Sequence, residues 1–432
     1  MGEGYLEMTQ QKVLADLVSR MEFFTSDSRK AKGPCIFLAL KGETFDGHSF
    51  VKDLLEKDAQ LRAVVGLDFY NSHSSFDFAK RLIPVNDTHV AHRELALEFR
   101  KKSKALVIAV GGSAGKTSTK EFLRQILSPH FRMVVTEKSQ NGELGIPKTL
   151  EGLRPDTQIA LIEVGIDRPD DMERHLSIVQ PDLGVLTSIG EEHLEQLKDV
   201  DTVFREESKL FERTWERGGT CFAPKADSYL ARHGSKPRTL LTPENPIDIN
   251  ASWKTNLHHP LALRNAALAA KVADFLGLSG DKIATALSHL ELPEGRGRFW
   301  TNAKGQLIIA DHYNSNPASL RAGYLYLKTL DPKDALYLIL GDMLELGPNS
   351  GAYHKDLLLE ALDLTPQGIC LVGPQFAAAL SEIRSENEVE VISVPTSLEA
   401  KQRLLSWKDK QGNFFFKGSR GMRLENVLEL FS

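Results

Sequence analysis

Cysteine is scarce in this chain: three in 432 residues, Cys35, Cys221 and Cys370, far apart and forming no CxxC pair. That argues against a disulfide framework or a structural zinc and fits a reducing compartment. No uninterrupted apolar run approaches the roughly 20 residues that cross a bilayer. No transmembrane helix or membrane insertion is therefore expected. The stretch Met1 to Glu7 offers no basic run followed by an apolar one, so no secretion signal is expected and the expected location is the cytoplasm. Excess positive charge is missing as well. With 53 Lys+Arg against 58 Asp+Glu the formal net charge is -5, and no nucleic-acid partner is expected. Any phosphate the protein binds must be met by a local site. No internal repeat or low-complexity segment is visible.

What is present is the balance of a soluble globular protein, 41% hydrophobic and 26% charged. The length suggests two to four domains, and three regions emerge. Residues 1–85 hold a helix over Gln11–Met21, a strand over Cys35–Leu40, a Gly/Asp/His loop over Gly42–His48, a helix near Phe50–Lys57 and a strand over Ala63–Gly66. This reads as a small mixed α/β unit. Residues 86–296 start with a helical stretch, Thr88–Lys102, and then a strand, Ala105–Val110, apolar enough to be buried on both faces. A glycine loop, Gly111–Gly115, follows, then a helix over Thr117–Leu127 whose Phe122, Leu123, Ile126 and Leu127 share one face. Further buried strands fall at Ile159–Val164 and Leu183–Thr187. Residues 297–432 alternate helical segments with strands at Leu307–Ala310, Ala335–Leu340, Ile369–Val372 and Asn413–Phe416. The expected fold class is three-domain α/β, with parallel sheets covered by helices in the second and third regions.

The strongest chemical signal is Gly112-Ser113-Ala114-Gly115-Lys116-Thr117, followed by Ser118, between a buried strand and an amphipathic helix. Glycines let backbone N–H groups turn toward phosphate oxygens, and the helix N-terminus adds partial positive charge. Lys116 is placed to reach the β- and γ-phosphates of ATP, and the Thr117 hydroxyl to bind Mg²⁺. The motif is the shorter GxxGKT form, because Val110 stands where the usual nucleotide loop has glycine. Short glycine matches arise by chance, but the flanking strand and helix favour phosphate binding. Glu163 ends a parallel strand, where ligands of such sheets gather. It is a candidate metal ligand against the bland reading of a solvated strand end. His193 follows another such strand; a lone histidine is more often structural, and its position raises the odds modestly.

Together these residues resemble the Mur ligase family, most closely its branch that adds D-Ala-D-Ala. Ala310-Asp311-His312-Tyr313-Asn314-Ser315-Asn316-Pro317 is similar to that branch's DxYNxNP signature. Leu340-Gly341-Asp342-Met343-Leu344-Glu345-Leu346-Gly347, with His354 beyond, is similar to its LGDMxELG…H segment. Lys417-Gly418-Ser419-Arg420 is similar to its KGSR segment. Asp27-Ser28-Arg29 and Asp46-Gly47-His48 resemble the family's UDP-binding pattern, and Asn141-Gly142-Glu143-Leu144-Gly145-Ile146-Pro147 and Gly295-Arg296 match further blocks in the right order.

The resemblance implies an ATP-dependent ligase that activates the carboxylate of UDP-N-acetylmuramoyl-tripeptide as an acyl phosphate and passes it to D-Ala-D-Ala. It implies three domains: 1–85 for the UDP end of the substrate, 86–296 for ATP and 297–432 as a Rossmann-like ligase domain, in a monomer. Lys116, Glu163, His193 and Glu207 would serve catalysis. Thr117, Glu163 and His193 would hold Mg²⁺. Gly112 to Ser118, Asn265, Arg296 and Asp311 would meet ATP, with Asn265 at adenine. Ser28, Arg29, Asp46, Gly47 and His48 would face the uridine nucleotide. Asn141, Asn314, Asn316, Asp342, Lys417 and Arg420 would lie around the remaining substrate.

Three departures from the family pattern stand out. Glu207, in Glu207-Ser208-Lys209-Leu210-Phe211, replaces a lysine that is usually carbamylated; it would supply negative charge directly, with Lys209 as the rival after a helix shift. The family's GxHNxxN block reads His259-Pro260-Leu261-Ala262-Leu263-Arg264-Asn265, keeping only the last asparagine. His312 stands where a small residue is common. Rival readings are another Mur-type or folylpolyglutamate-type ligase, a nucleotide-hydrolysing motor, and a binding relative without catalysis.

Overall fold

The computed structural model describes Asp16 and residues 23–42, 45–383 and 389–431. The helix expected over Gln11–Met21 lies, Asp16 apart, outside the described residues. Three sheets follow one another along the chain. The first joins β1 (Phe23–Thr25), β2 (Cys35–Leu38), β3 (Arg62–Gly66) and β4 (Leu82–Val85) in that order, all parallel. Of these, β2 and β3 match the apolar runs expected to be strands; β1 has only three residues, and β4 is interrupted by the exposed Pro84.

The second sheet holds β5 (Leu106–Gly111), β6 (Met133–Val135), β7 (Ile159–Glu163), β8 (Leu183–Leu186), β9 (Thr220–Pro224) and β10 (Thr239–Thr242). Its order is β10-β9-β8-β5-β7-β6, and every pairing is parallel. From β5 the chain goes out to the edge strand β6, returns to insert β7 between them, and then crosses to the other side of β5, where β8, β9 and β10 build outward. The carboxyl ends of β5 and β8 therefore flank the switch point, where an open parallel sheet leaves a crevice for ligands. The helix Lys116–Leu127 leaves that crevice and packs Phe122, Leu123, Ile126 and Leu127, all fully buried, against the alanine-rich helix Pro260–Phe275. Six alanines in the latter keep the two axes close. Truncating Phe122 to alanine would cost about 3–5 kcal/mol.

The third sheet contains β11 (Arg298–Thr301), β12 (Leu307–Asp311), β13 (Leu336–Gly341), β14 (Gly368–Val372), β15 (Glu390–Val394) and β16 (Asn413–Lys417), ordered β11-β12-β16-β13-β14-β15. Only β11 runs antiparallel, at the edge. The three-domain α/β expectation holds, with a mixed C-terminal sheet.

The helix Thr88–Lys102 binds the first sheet to the second. Its Ala91, Leu95 and Ala96 share one apolar cluster with Phe24, Val64 and Ile83 on one side and Ile146 and Leu150 on the other. Buried Glu151 adds a polar clamp there: it accepts hydrogen bonds from the Ser26 amide (3.0 Å) and the Thr25 hydroxyl (3.4 Å), and lies 2.9 Å from His92 Nε2. The three cysteines are free and buried, and burial pushes each thiol up, Cys35 and Cys370 to about 12.

Candidate active site

The loop between β5 and the helix Lys116–Leu127 has positive φ at Gly112 (110°) and Gly115 (96°). A side chain at Gly112 would meet Thr187 Oγ1 at 2.5 Å, and one at Gly115 would meet Asn265 Oδ1 at 2.7 Å. Both positions therefore need glycine for conformation and for space. The loop amides were expected to cradle phosphate, but the structure commits three of them to the protein. Gly112 N–H donates to Glu207 Oε2 (2.8 Å), Ser113 N–H to Ser188 O (2.8 Å) and Ala114 N–H to Ser188 Oγ (2.9 Å). The amides left open for a ligand are instead those of the first helical turn, from Lys116 to Ser118. That turn starts at Gly115 with no side-chain cap and has no intrahelical acceptors.

One side of this turn is an oxygen-rich cluster. Thr117 Oγ1 donates to Glu163 Oε1 at 3.0 Å and lies 3.2 Å from Ser139 Oγ. Asn141 Nδ2 donates to the same Glu163 oxygen at 2.9 Å, and Arg296 Nη2 reaches Thr117 Oγ1 at 3.2 Å from the segment before β11. The Arg296 guanidinium also sits 4.2 Å from the Tyr313 ring centre. Glu163 is buried, and its Oε2 has no hydrogen-bond partner. Beneath it lies a residue the sequence reading missed. Lys120 is fully buried, donates to the carbonyls of Thr136 (2.8 Å) and Lys138, and sits 3.5 Å from Glu163 Oε2.

The donor set fits Mg²⁺. Thr117 Oγ1 and the Glu163 carboxylate are hard oxygens, one carboxylate oxygen is unsatisfied, and Mg²⁺ takes one or two carboxylates while keeping water and phosphate ligands. Among the described residues no group of three His, Cys, Asp or Glu side chains could hold a metal alone.

The other side is acidic and basic in alternation. Lys116 Nζ donates to Glu192 Oε1 at 2.7 Å, and Glu192 lies 3.5 Å from His193 Nε2. Burial works against the charge on Lys116, but Glu192, Glu207 and Glu163 outweigh it and hold its pKa above the usual value. Burial likewise opposes ionisation of Glu192, yet Lys116 and His193 bring its pKa below the ordinary range. Expected as a metal ligand beside Glu163, His193 turns its Nδ1 to Glu345 Oε2 (2.5 Å) across the junction with the C-terminal domain. Both His193 and Glu345 have positive φ, 51° and 65°, a strained conformation for non-glycine residues. Glu192 and Glu345 lie inside motifs already noticed, but only tertiary proximity gives them partners.

A narrow cleft runs between the helix N-terminus and the third sheet. Its walls bring together Ser118, Asn265, Arg296, Asp311, Asn314, Asn316 and Lys417, all singled out in the sequence. Asp311 and Lys417 are register partners at the carboxyl ends of β12 and β16, joined at 2.7 Å, and Lys417 Nζ also donates to Asn314 O at 2.9 Å. Burial lowers the pKa of Lys417 despite the nearby Asp311. Asn316 caps the helix Pro317–Leu327 through the Ser319 amide, which explains the Asn-Pro pair structurally. Arg420 pairs with Glu425 at 3.0 Å and lines a neighbouring cleft with His193 and Asn314.

Asp342 is a correction. Expected near the substrate, it is buried, and its two oxygens accept the Gln375 (2.8 Å) and Phe376 (2.9 Å) amides at the start of the helix Pro374–Ser381. It caps that helix and is closed to ligand.

In the first domain, Asp46 Oδ1 accepts the His48 amide (3.0 Å) and lies 2.7 Å from His48 Nδ1, while His48 Nε2 accepts the Gly66 amide (3.0 Å). This fixes the proton on Nδ1. Gly47 N–H donates to Leu40 O at 2.7 Å, holding the loop against β2. Arg29, on the exposed turn with Ser28, pairs with Asp27 at 2.8 Å, and that pairing pulls the Asp27 carboxyl down to about 2.

An uncapped helix N-terminus at the switch point of one parallel sheet, with a second α/β sheet across the cleft, is an arrangement suited to binding an anion between two domains. Residues 110–246 match the profile described as Mur ligase middle domain, and residues 295–420 the one described as Mur ligase, glutamate ligase domain. The chain is 27% identical to UDP-N-acetylmuramoyl-tripeptide--D-alanyl-D-alanine ligase of Bacillus subtilis, covering 94% of this chain and 92% of that protein. It is 26% identical to the same enzyme of Rickettsia prowazekii over 96% and 95% of the two chains. Among solved structures it is similar to MurF from Acinetobacter baumannii, with a TM-score of 0.78, 27% identity, and 94% and 92% of the chains covered. The fold is also that of MurF from Thermotoga maritima in complex with ADP, with a TM-score of 0.78, 23% identity, and 96% and 98% covered. The chain belongs to the Mur ligase family, and it is an ATP-dependent amide ligase.

Proposed function

We propose that this ligase joins D-Ala-D-Ala to UDP-N-acetylmuramoyl-tripeptide, a step of peptidoglycan precursor synthesis in the cytoplasm, acting as a monomer and releasing ADP and phosphate. The observation that carries this reading is the meeting in one cleft of the loop residues Ser113, Ala114 and Gly115 and of Ser118 with Asp311 and Lys417, which lie in the DxYNxNP- and KGSR-like segments. The relatives named for this reaction cover nearly the whole chain.

In this reading residues 1–85 hold the UDP end through Ser28, Arg29 and the Asp46–His48 turn, residues 86–296 hold ATP, and residues 297–432 close over it. The substrate carboxylate attacks the γ-phosphorus of ATP, a carboxylate O–P bond forms, and the bond to the bridging oxygen breaks to release ADP. The dipeptide amine then attacks the acyl carbon, and the C–O bond to phosphate breaks as the amine loses its proton. Lys116 and the first-turn amides neutralise the transferring phosphoryl group, which is where such enzymes do most of their work. Thr117 and Glu163 would hold Mg²⁺, which when bound adds positive charge where the phosphoryl oxygens gather. Asn141 and Lys120 keep Glu163 in place and Ser139 lies against the Thr117 hydroxyl, while Asn314 and Arg420 face the incoming amine from the C-terminal side.

The test is ADP and phosphate release with each substrate alone and with both, plus mass spectrometry of the product. Release that requires both, with one new amide at the tripeptide terminus, is expected. Turnover with one substrate alone, or with a single amino acid in place of D-Ala-D-Ala, would overturn the assignment.

A further inference from the structure

The wall of the cleft beside the helix Pro260–Phe275 lacks the polar pair that the family pattern GxHNxxN places there. Leu261 and Ala262 stand in those positions, and both line the cleft without a side-chain hydrogen-bonding group. Hydrogen bonding from this wall therefore falls to the residues that bracket them, His259 and Asn265, which line the same cleft.

His259 is the N-cap of the helix. The Leu261 amide donates to its Nδ1 at 3.2 Å, so that nitrogen presents its lone pair to the protein. Burial keeps the ring below its ordinary pKa, Asp311 notwithstanding, so it is neutral near pH 7. A neutral imidazole with an accepting Nδ1 carries its hydrogen on Nε2. That Nε2–H is buried and has no acceptor among the described residues. His259 as a whole is 5% exposed and Asn265 2%. Asn265 Oδ1 is the complementary orphan, a buried acceptor with no donor, set against Gly115 of the phosphate loop. Buried polar groups are nearly always satisfied, so a donor and an acceptor left open on one cleft wall mark a ligand's contacts.

We propose that His259 is a further base-selecting residue: its imidazole Nε2–H donates to a ring nitrogen of the nucleobase, beside the Asn265 carbonyl that the family resemblance already implies at adenine. This rests on the reading of the cleft as the ATP site and extends it to base selection. A 6-aminopurine offers an amine donor beside acceptor ring nitrogens. Guanine turns that edge round, with a carbonyl acceptor at position 6 and an N–H donor at position 1, and leaves both protein groups opposed.

Calorimetry on the full chain with ATP, GTP and inorganic tripolyphosphate, at fixed Mg²⁺, tests this. His259→Ser keeps a side-chain oxygen to cap the helix but removes the Nε2–H donor. The expected result is a roughly tenfold weaker Kd for ATP, an unchanged Kd for tripolyphosphate and a narrower gap between ATP and GTP. His259→Gln, whose amide nitrogen reaches as far as Nε2, should regain part of the ATP affinity. Equal ATP affinity in wild type and His259→Ser would overturn the proposal. So would an equal loss of ATP and tripolyphosphate, which would mark His259 as a helix cap alone. A wild-type chain that binds no ATP would overturn the nucleotide reading first and this inference with it.

Discussion

Glu207 Oε2 accepts the Gly112 amide hydrogen at 2.8 Å, so a side chain from the helix Val200–Glu216 holds the first amide of the phosphate loop. A side chain at Gly111 would meet the same oxygen at 2.7 Å, which accounts for the paired glycines. Glu207 is completely buried and its Oε1 has no partner. It therefore places a carboxylate under the loop where the family carries a modified lysine. Lys209, the rival candidate, turns away to Glu206 (2.7 Å) and Asp170 (3.3 Å).

Burial is the main force on Glu207; Lys116 opposes it and Glu192 adds to it, and the carboxyl is pushed up to about 7 from an ordinary 4.5. An acid whose pKa rises on folding binds its proton more tightly in the native state. Its contribution favours the fold below the ordinary value and is lost as pH climbs to about 7. Glu207→Gln should therefore flatten the fall in stability across that window, seen in denaturant melts at pH 5 and pH 8. The rate should drop below pH 7 in wild type and lose that limb in Glu207→Gln. Glu207→Ala, which strands the Gly112 amide, should cost roughly 100-fold in rate. Added bicarbonate should change nothing, since no lysine needs carbamylation. A bicarbonate requirement, or full activity in Glu207→Ala, would sink the idea.

Glu163 and Lys120 separate chemistry from support. Glu163→Gln keeps the hydrogen bond from Thr117 but removes the charge. It should lower kcat by roughly 100- to 1,000-fold and raise the Mg²⁺ concentration needed for half-maximal rate. Lys120→Met instead strands the Thr136 and Lys138 carbonyls and Glu163 Oε2. Its main effect should be on stability, about 3–5 kcal/mol, read in denaturant unfolding of the central domain. A variant as stable as wild type would show that water or another cation replaces the ammonium.

Much of this site was legible because it is local. The strand, glycine loop and helix around Lys116 are contiguous in sequence, and uniformly apolar β5, β7, β8 and β13 announce themselves. The short or half-exposed strands β1, β4, β6, β9, β10, β11 and β15 do not, because their identity comes from the neighbours they pair with. Glu192, Lys120 and Glu345 were missed for the same reason. Lys120 lies in the helix pattern as an ordinary charged residue, and only the fold brings the 136–138 carbonyls to it. The Asn314–Pro317 and Gly341–Asp342 runs stood out as motifs, yet part of each proves to be capping chemistry: Asn316 and Asp342 hold helix N-termini.

Asp311 and Lys417 form a buried pair at 2.7 Å, and among the described residues no other cation or anion is bound as tightly to either, so removing one charge leaves the other unpaired. Asp311→Ala should cost about 3–5 kcal/mol, as should Lys417→Met, whereas the double variant should cost clearly less than their sum. A double-mutant cycle by chemical denaturation measures the coupling. Strict additivity would mean that the two act separately, for example through different contacts with ligand.

His193 and Glu345 offer the last test, because their contact at 2.5 Å spans two domains and both backbones are held at positive φ. Glu345 is half-exposed, so the pair itself should add less than about 1 kcal/mol to stability. Its influence should appear in domain position. With Glu345→Gln the imidazole loses its nearest charged partner and keeps Asp167 (3.4 Å) and Glu192 (3.5 Å), and the Glu195 amide still reaches the residue 345 carbonyl at 3.3 Å. The expected outcome is a larger radius of gyration by small-angle scattering, a raised KM for ATP and a near-normal kcat once the cleft is filled. An unchanged radius together with a lowered kcat would mean that Glu345 serves the chemistry itself, and the clasp between the two domains would have to be abandoned.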